Sequence, residues 1–277
     1  MPAFGEIPMT YANHRDTDPD HTSVIKPFAI PHIRRVGLDR PWAWLAAGWN
    51  DFSQAPVLSL SYGLAMVAIS YMLVLGLSSI GLFYLVLPMV AGFMLVGPIV
   101  AVGLYEVSRL HNMGREARLS DAFGAFSRNA GQISAIGLVL MLMLLFWVRV
   151  ALLIFALFFS YQPPTLEGFV NTVFFTEQGL VFLVVGSAVG GMIAAAVFAI
   201  TALSIPMLLD RDTDLFTAIS TSVRGVMANW QTMAGWAGLI VLFTAAGLAT
   251  AFIGLALALP LIGYASWHAY KEIVDND

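Results

Sequence analysis

The sequence predicts an all-α, polytopic transmembrane helical bundle of six spans. Three observations carry that prediction: an apolar share far above that of a soluble domain, apolar runs of about 20 residues, and basic residues gathered in alternate connecting segments. Of the 277 residues, 59% are hydrophobic and only 11% are charged, and the mean hydropathy is +0.81. Soluble domains carry roughly 45–50% apolar and about 25% charged residues. A water-soluble chain of 30.0 kDa could not hide that excess, whereas a bilayer removes the need. The formal net charge of −4 gives no basic balance for nucleic acid, and the absence of cysteine excludes disulfides, thiolate catalysis and thiolate metal ligation.

Residues 1–30 are polar, interrupted by Pro2, Pro8, Pro19 and Pro27, and lack the apolar core of a signal peptide. They read as a flexible cytoplasmic tail ahead of one transmembrane domain over 31–274. Apolar runs place spans near 57–79, 82–107, 133–159 and 179–206. The last apolar stretch is long for one helix and short for two. Splitting it at Gly247–Thr250, where glycine eases a tight turn, gives spans near 231–248 and 251–270. A single long helix ended at Pro260 is the rival reading. Orientation follows from charge. Lys26, Arg34, Arg35 and Arg40 precede span one, Arg109, Arg115, Arg118 and Arg128 lie between spans two and three, Arg211 and Arg224 between four and five, and Lys271 follows the last. The 160–178 loop has only Glu167 and Glu177. By the positive-inside rule the basic segments and both termini are cytoplasmic.

The six spans read as three helical hairpins of parallel topology. Each is preceded by an amphipathic helix suited to the headgroup plane. The apolar faces are Trp42, Leu45, Trp49 and Phe52 before span one, Leu119, Ala122, Phe123 and Phe126 before span three, and Leu215, Ile219, Ser222 and Val226 before span five. Pro98, Pro206 and Pro260 occupy equivalent places in the even spans and mark helix breaks, since proline removes a backbone donor.

Few residues carry chemistry. Arg149, within span three, is the candidate charge of the bilayer interior, where an arginine at a helix centre costs roughly 2.5–3.5 kcal/mol. Its functional reading is an anion contact or conduction step, facing the bundle interior or a wet cavity. Its structural reading is a pair with Glu167 or Glu177, or snorkelling to the interface. Gly186, Gly190 and Ala194 form a small-residue stripe that lets helix backbones approach, within the bundle or in a dimer. In Asp210–Asp214, helix capping is favoured over metal binding, because Arg211 intrudes and no glycine supplies a calcium-loop turn. His268, beside Trp267 and Tyr270, reads as part of an interfacial aromatic belt. No phosphate-binding loop, His-Glu-x-x-His or Gly-x-Ser-x-Gly is present, so no cofactor or metal is expected.

The run from Ser204-Ile205-Pro206-Met207 to Asp210-Arg211-Asp212, with Ser222-Val223-Arg224 downstream, carries a resemblance. So do Pro31-His32-Ile33-Arg34-Arg35-Val36 and Ala265-Ser266-Trp267-His268-Ala269-Tyr270. Over about residues 30–274 the chain resembles a family of proteobacterial inner-membrane proteins of unknown function. The resemblance implies a bacterial cytoplasmic-membrane location and a multi-span fold, and supplies no activity. Some members are labelled cytochrome c oxidase subunit I. A haem-copper subunit needs several histidines projecting from spans, and here only His268 lies in one. Where such families have Gly-His before the last aromatic run, this chain has Gly263-Tyr264. The expectation is a non-enzymatic scaffold or accessory subunit of a membrane complex, respiratory or other, in contact with lipid and with a partner or itself. The alternative is a small-solute or ion transporter using Arg149.

Overall fold

A computed structural model describes residues 31–160 and 168–274; the expected tail over 1–30 lies outside them. Twelve α-helices follow in order among the described residues: α1 (Arg40–Gln54), α2 (Pro56–Ser79), α3 (Val86–Val100), α4 (Val102–Asn112), α5 (Leu119–Gly124), α6 (Ala130–Phe159), α7 (Phe169–Phe174), α8 (Glu177–Thr201), α9 (Ser204–Asp210), α10 (Leu215–Ala228), α11 (Trp230–Ala249) and α12 (Leu255–Ile273). There is no strand among them, only an isolated bridge between Ile33 and Val274. The chain is a polytopic helical bundle. Five helical stretches are long and apolar enough to cross a membrane: Pro56–Ser79, Phe83–Asn112, Ala130–Phe159, Glu177–Asp210 and Trp230–Ala249.

The sixth expected span falls on α12, which stands outside that set of five. Its last turns carry Ser266, His268, Lys271 and Glu272, and 13 of its 19 residues are buried. It is the central strut of the fold rather than a lipid-facing helix. The chain does turn between α11 and α12, which overturns the single-helix reading, and Pro260 sits inside α12 without ending it. In that turn Ala251 and Phe252 take φ of +54° and +70°, a left-handed backbone that side chains with a Cβ disfavour. Thr250 holds it: its hydroxyl oxygen accepts from the Gly254 amide at 2.7 Å. The other two prolines behave differently from each other. Pro98 lies within α3, two residues before its end, and Pro206 sits in the first turn of α9, after a break at Ala202–Leu203.

Two helices approach α12 through glycine. A Cβ on Gly48 of α1 would lie 2.8 Å from the Ala265 amide nitrogen, and one on Gly63 of α2 would lie 2.1 Å from the Ala256 carbonyl oxygen. Here backbone meets backbone, as membrane helices allow where side chains are absent. The expected stripe on α8 behaves otherwise. Gly186 has no neighbour that a Cβ would touch, and Gly190 makes room for the Trp147 ring of α6, 2.9 Å from a Cβ, rather than for a helix backbone. Trp147 is fixed there because its indole N–H donates to the Pro88 carbonyl at 2.8 Å.

The three expected amphipathic helices are present as α1, α5 with the short turn after it, and α10, but the faces they bury differ from expectation. On α1 the buried stripe is Trp44, Leu45, Gly48, Asp51 and Phe52, set against protein, while Trp42 and Trp49 are exposed. On α10 the buried face is Thr217, Ala218, Thr221, Ser222 and Gly225, and Phe216 points outward. Small residues dock α10 onto the bundle, whereas α1 is docked by Trp44, Leu45 and Phe52 around Gly48. As expected, Asp214 caps α10, its carboxylate accepting from the amides of Phe216 and Thr217 at 2.9 and 3.0 Å.

Candidate functional site

α1, α4, α9, α10 and the last turns of α12 gather at one end of the bundle, called here the terminal end because Ile33 and Val274 meet there. Above it, between α3–α4, α8, α11 and α12, lies a cavity of about 580 Å³. Phe93, Gly97, Ala101 and Tyr105 repeat every fourth residue and form one wall of it along the α3–α4 stretch. Ala194 and Phe198 of α8, Ala237 of α11 and Leu259 of α12 line the others. The wall from Phe93 to Tyr105 is about 18 Å long at 1.5 Å per helical residue. Small side chains at Gly97, Ala101, Ala194 and Ala237 leave the space open. Among the described residues no Asp, Glu, Lys, Arg or His lines it. Its polar groups are hydroxyls and indoles. Thr201 donates to its own helix at Val197, whereas Tyr105 and Ser266, 4% and 8% exposed, have no hydrogen-bond partner among the described residues. Gly263 packs on Leu104, and Ser108 and His268 meet on one carboxylate, so Tyr105 and Ser266 fall between these contacts at one level.

Beneath that level the carboxylates of the terminal end that have at least two partners include Glu272, which meets Trp44 Nε1 and Arg40 at 2.6 Å each, and Asp51, Glu106 and Asp210. Asp51 of α1, 2% exposed, accepts from the Ser108 hydroxyl at 2.5 Å and faces His111 Nδ1 at 3.1 Å and His268 Nε2 at 2.8 Å. An ionised carboxylate only accepts, so the ring nitrogens turned toward it carry the protons. Burial opposes ionisation of Asp51, but hydrogen bonds from His268 and Ser108 outweigh it and hold the carboxyl below the usual aspartate range. Glu106 takes both forks of Arg109 at 2.7 Å, with Arg128 at 3.7 Å. Asp210 accepts from Tyr270 at 2.9 Å and Lys271 at 3.0 Å. His111 also lines a cleft of about 660 Å³ at the α1–α2 junction, with Gln54, Ser61, Arg115 and Glu116. Among the described residues no group of three or more His, Asp or Glu side chains is placed to hold a metal ion.

The structure scatters the residues singled out from sequence. Arg149 is exposed on the outer face of α6, ten residues before its end, and does not enter the bundle interior as a functional charge would. Neither a hydrogen bond nor an ion pair ties it to any described residue, and the proposed partner Glu167 lies outside those residues. An arginine can tolerate such a position because its long stem lies along apolar surface while the guanidinium reaches the interface. Pro98 and Ala194 line the cavity, Pro206 and Pro260 are buried in packing, and Gly186 does neither. His268 is not part of an aromatic belt; its ring is committed to Asp51. Asp51 and Glu106 were missed because juxtamembrane carboxylates usually read as solvated, and Ser108 because a lone helical serine carries no signal. A signal existed: Trp44, Leu45, Gly48, Asp51 and Phe52 follow the i, i+1, i+4, i+7, i+8 pattern of one buried helix face.

Apolar spanning helices around an apolar cavity, closed at one end by paired charges, define a polytopic helical membrane protein. Residues 86–210, from α3 to the end of α9, match the family described as "Predicted integral membrane protein (DUF2189)". That is the family of unknown function to which the sequence bears its resemblance. No curated protein and no solved structure matches the chain.

Proposed function

We propose that this is a non-enzymatic accessory protein of the bacterial inner membrane that holds an apolar molecule of the bilayer in its cavity, with the terminal end in the cytoplasm. The cavity carries this reading. Its volume of about 580 Å³ lies within the roughly 300–1,000 Å³ of small-molecule sites. It lies among spanning helices, where the solvent is lipid, and among the described residues its lining offers no Asp, Glu, Lys, Arg or His to a solute ion. The transport reading depended on Arg149 as an interior charge, and the exposed position of that side chain removes its support.

The test is mass spectrometry of molecules that co-purify with the full chain in mild detergent, set against an Ala194→Phe/Ala237→Phe variant that fills the cavity. A bilayer molecule retained by the wild type and lost from a variant that still folds is the expected result. Equal retention by both sinks the proposal. A reporter fused after Asp277 should read as cytoplasmic; a periplasmic signal would reverse the orientation.

A further inference from the structure

We propose that the cavity selects a neutral amphiphile, one or two hydrocarbon chains carrying an uncharged hydroxyl head, and that the head is held by Tyr105 and Ser266. This rests on the reading of the cavity as a lipid site and goes further by naming the class of lipid.

The first argument is the unmet hydrogen-bonding capacity of the two hydroxyls. Tyr105 is 4% exposed and Ser266 is 8% exposed, and neither has a partner among the described residues. Neither hydroxyl oxygen is among the fully enclosed unpaired atoms, so both open onto the cavity they line, and each can both donate and accept. A ligand hydroxyl placed between them can accept from one and donate to the other. The two side chains stand at one level, on α4 and α12, where the cavity ends against the terminal polar network. The apolar wall runs about 18 Å from there to Phe93. The lining thus carries two unpaired hydroxyls together at this end and a single one, Thr244 of α11, toward the other, so the paired hydroxyls are the stronger anchor for a head group.

The second argument concerns charge. Among the described residues no Asp, Glu, Lys, Arg or His lines the cavity. An ionised head there would lose its hydration without gaining a counter-charge, a cost that normally excludes isolated ions from apolar surroundings. The charges nearest the polar end are those behind it. Glu106 follows Tyr105 in the chain, and Asp51 binds His268, two residues beyond Ser266. Both are carboxylates, and their donors, Arg109 and Arg128 for Glu106 and Ser108, His111 and His268 for Asp51, are already engaged with them. A phosphate or carboxylate head would approach negative charge with no cation in the described lining to meet it. A hydroxyl head meets no such opposition.

The experiment is competitive binding to the purified full chain, read by native mass spectrometry. The probes are a diacylglycerol, a long-chain isoprenoid alcohol, and a phosphatidylglycerol with the diacylglycerol's acyl chains. Preference for one or both hydroxyl-headed probes over phosphatidylglycerol is expected. Tyr105→Phe/Ser266→Ala should weaken that binding by roughly tenfold, the scale of one or two net hydrogen bonds, and leave phosphatidylglycerol unchanged. The thermal midpoint without lipid should hold or rise, because the removed hydroxyls have no protein partner. Equal binding of all three probes, or no effect of the double variant, overturns the head-group assignment while the cavity reading stands. Binding that persists in Ala194→Phe/Ala237→Phe overturns the cavity reading itself.

Discussion

Gly63→Ala is the sharpest test of how the bundle is assembled. The new Cβ would sit 2.1 Å from the Ala256 carbonyl oxygen and 2.6 Å from both its carbonyl carbon and its Cα. Ordinary van der Waals contact begins near 3.4 Å, so α12 must retreat from α2 by about 1.3 Å at that point. The obstructing atoms are backbone, so no rotamer change relieves them. α12 is also held by α1 and α4, and a shift there disturbs Gly48 against Ala265 and Gly263 against Leu104. Overpacking of this kind costs about 1–3 kcal/mol, which for a chain of this size lowers the unfolding midpoint by roughly 2–12 °C. The assay is thermal unfolding of the purified protein in detergent, with Gly235→Ala as control. Gly235 lies on the exposed side of α11, and a Cβ there meets nothing within 4 Å. By helix propensity alone the control is neutral or stabilising, by up to about 1 kcal/mol. Equal midpoints for the two variants would refute close α2–α12 packing.

Four further outcomes follow from named residues. Asp51→Ala leaves Ser108, His111 and His268 without their shared acceptor and should destabilise by about 3–5 kcal/mol, read by the same unfolding assay. Because the folded carboxyl of Asp51 is held below its usual value, its stabilisation is complete above about pH 4 and is lost as pH falls through the folded value; Asp51→Asn should flatten that acid limb, and an unchanged limb counts against the network. Arg149→Leu should leave thermal stability unchanged or raise it, since the guanidinium has no described partner to lose; a drop above about 2 kcal/mol would show that the charge is paired after all. Asp214→Ala removes the cap of α10 and should cost roughly 0.5–2 kcal/mol, with amide exchange at Phe216 and Thr217 rising first.

The spans were legible because lipid imposes a composition on the chain that nothing else in a sequence imitates. Expected and observed ends agree within a few residues along α2, α6 and α11. The turn at Thr250–Gly254 was also readable, from the glycines beside it. What the sequence hid was which face of each helix turns inward. In water a buried face announces itself as apolar, but between lipid and protein both faces are apolar and periodicity fades. Thus Trp42 and Trp49 were assigned to one face with Leu45 and Phe52, when only the latter two are buried. Arg149 looked like the rare charge that must turn inward, yet it lies outside. The cavity left no trace in any one segment, because it is made from small residues on four helical stretches far apart in sequence. Asp51, by contrast, was recoverable, since α1 lies outside the apolar spans and keeps the ordinary inside-outside pattern.

The hydroxyl of Tyr71 donates to the Ala251 carbonyl at 2.7 Å, so the turn between α11 and α12 stands level with the fourth turn of α2. Eight more residues of α2, Met72–Ser79, continue about 12 Å past it. They are largely exposed, with Met72 and Leu75 bare on their outer sides. The protein therefore has unequal hydrophobic height around its circumference, tall at α2 and short at the last hairpin. Acyl chains on the short side must bend over the turn or thin locally, at a fraction of a kcal/mol for each ångström of mismatch. A lopsided boundary of this kind gives neighbouring molecules a direction. Thin or strained patches of bilayer will gather beside the α11–α12 turn and thick ones beside α2, so the protein orders the lipid around it before it touches any partner.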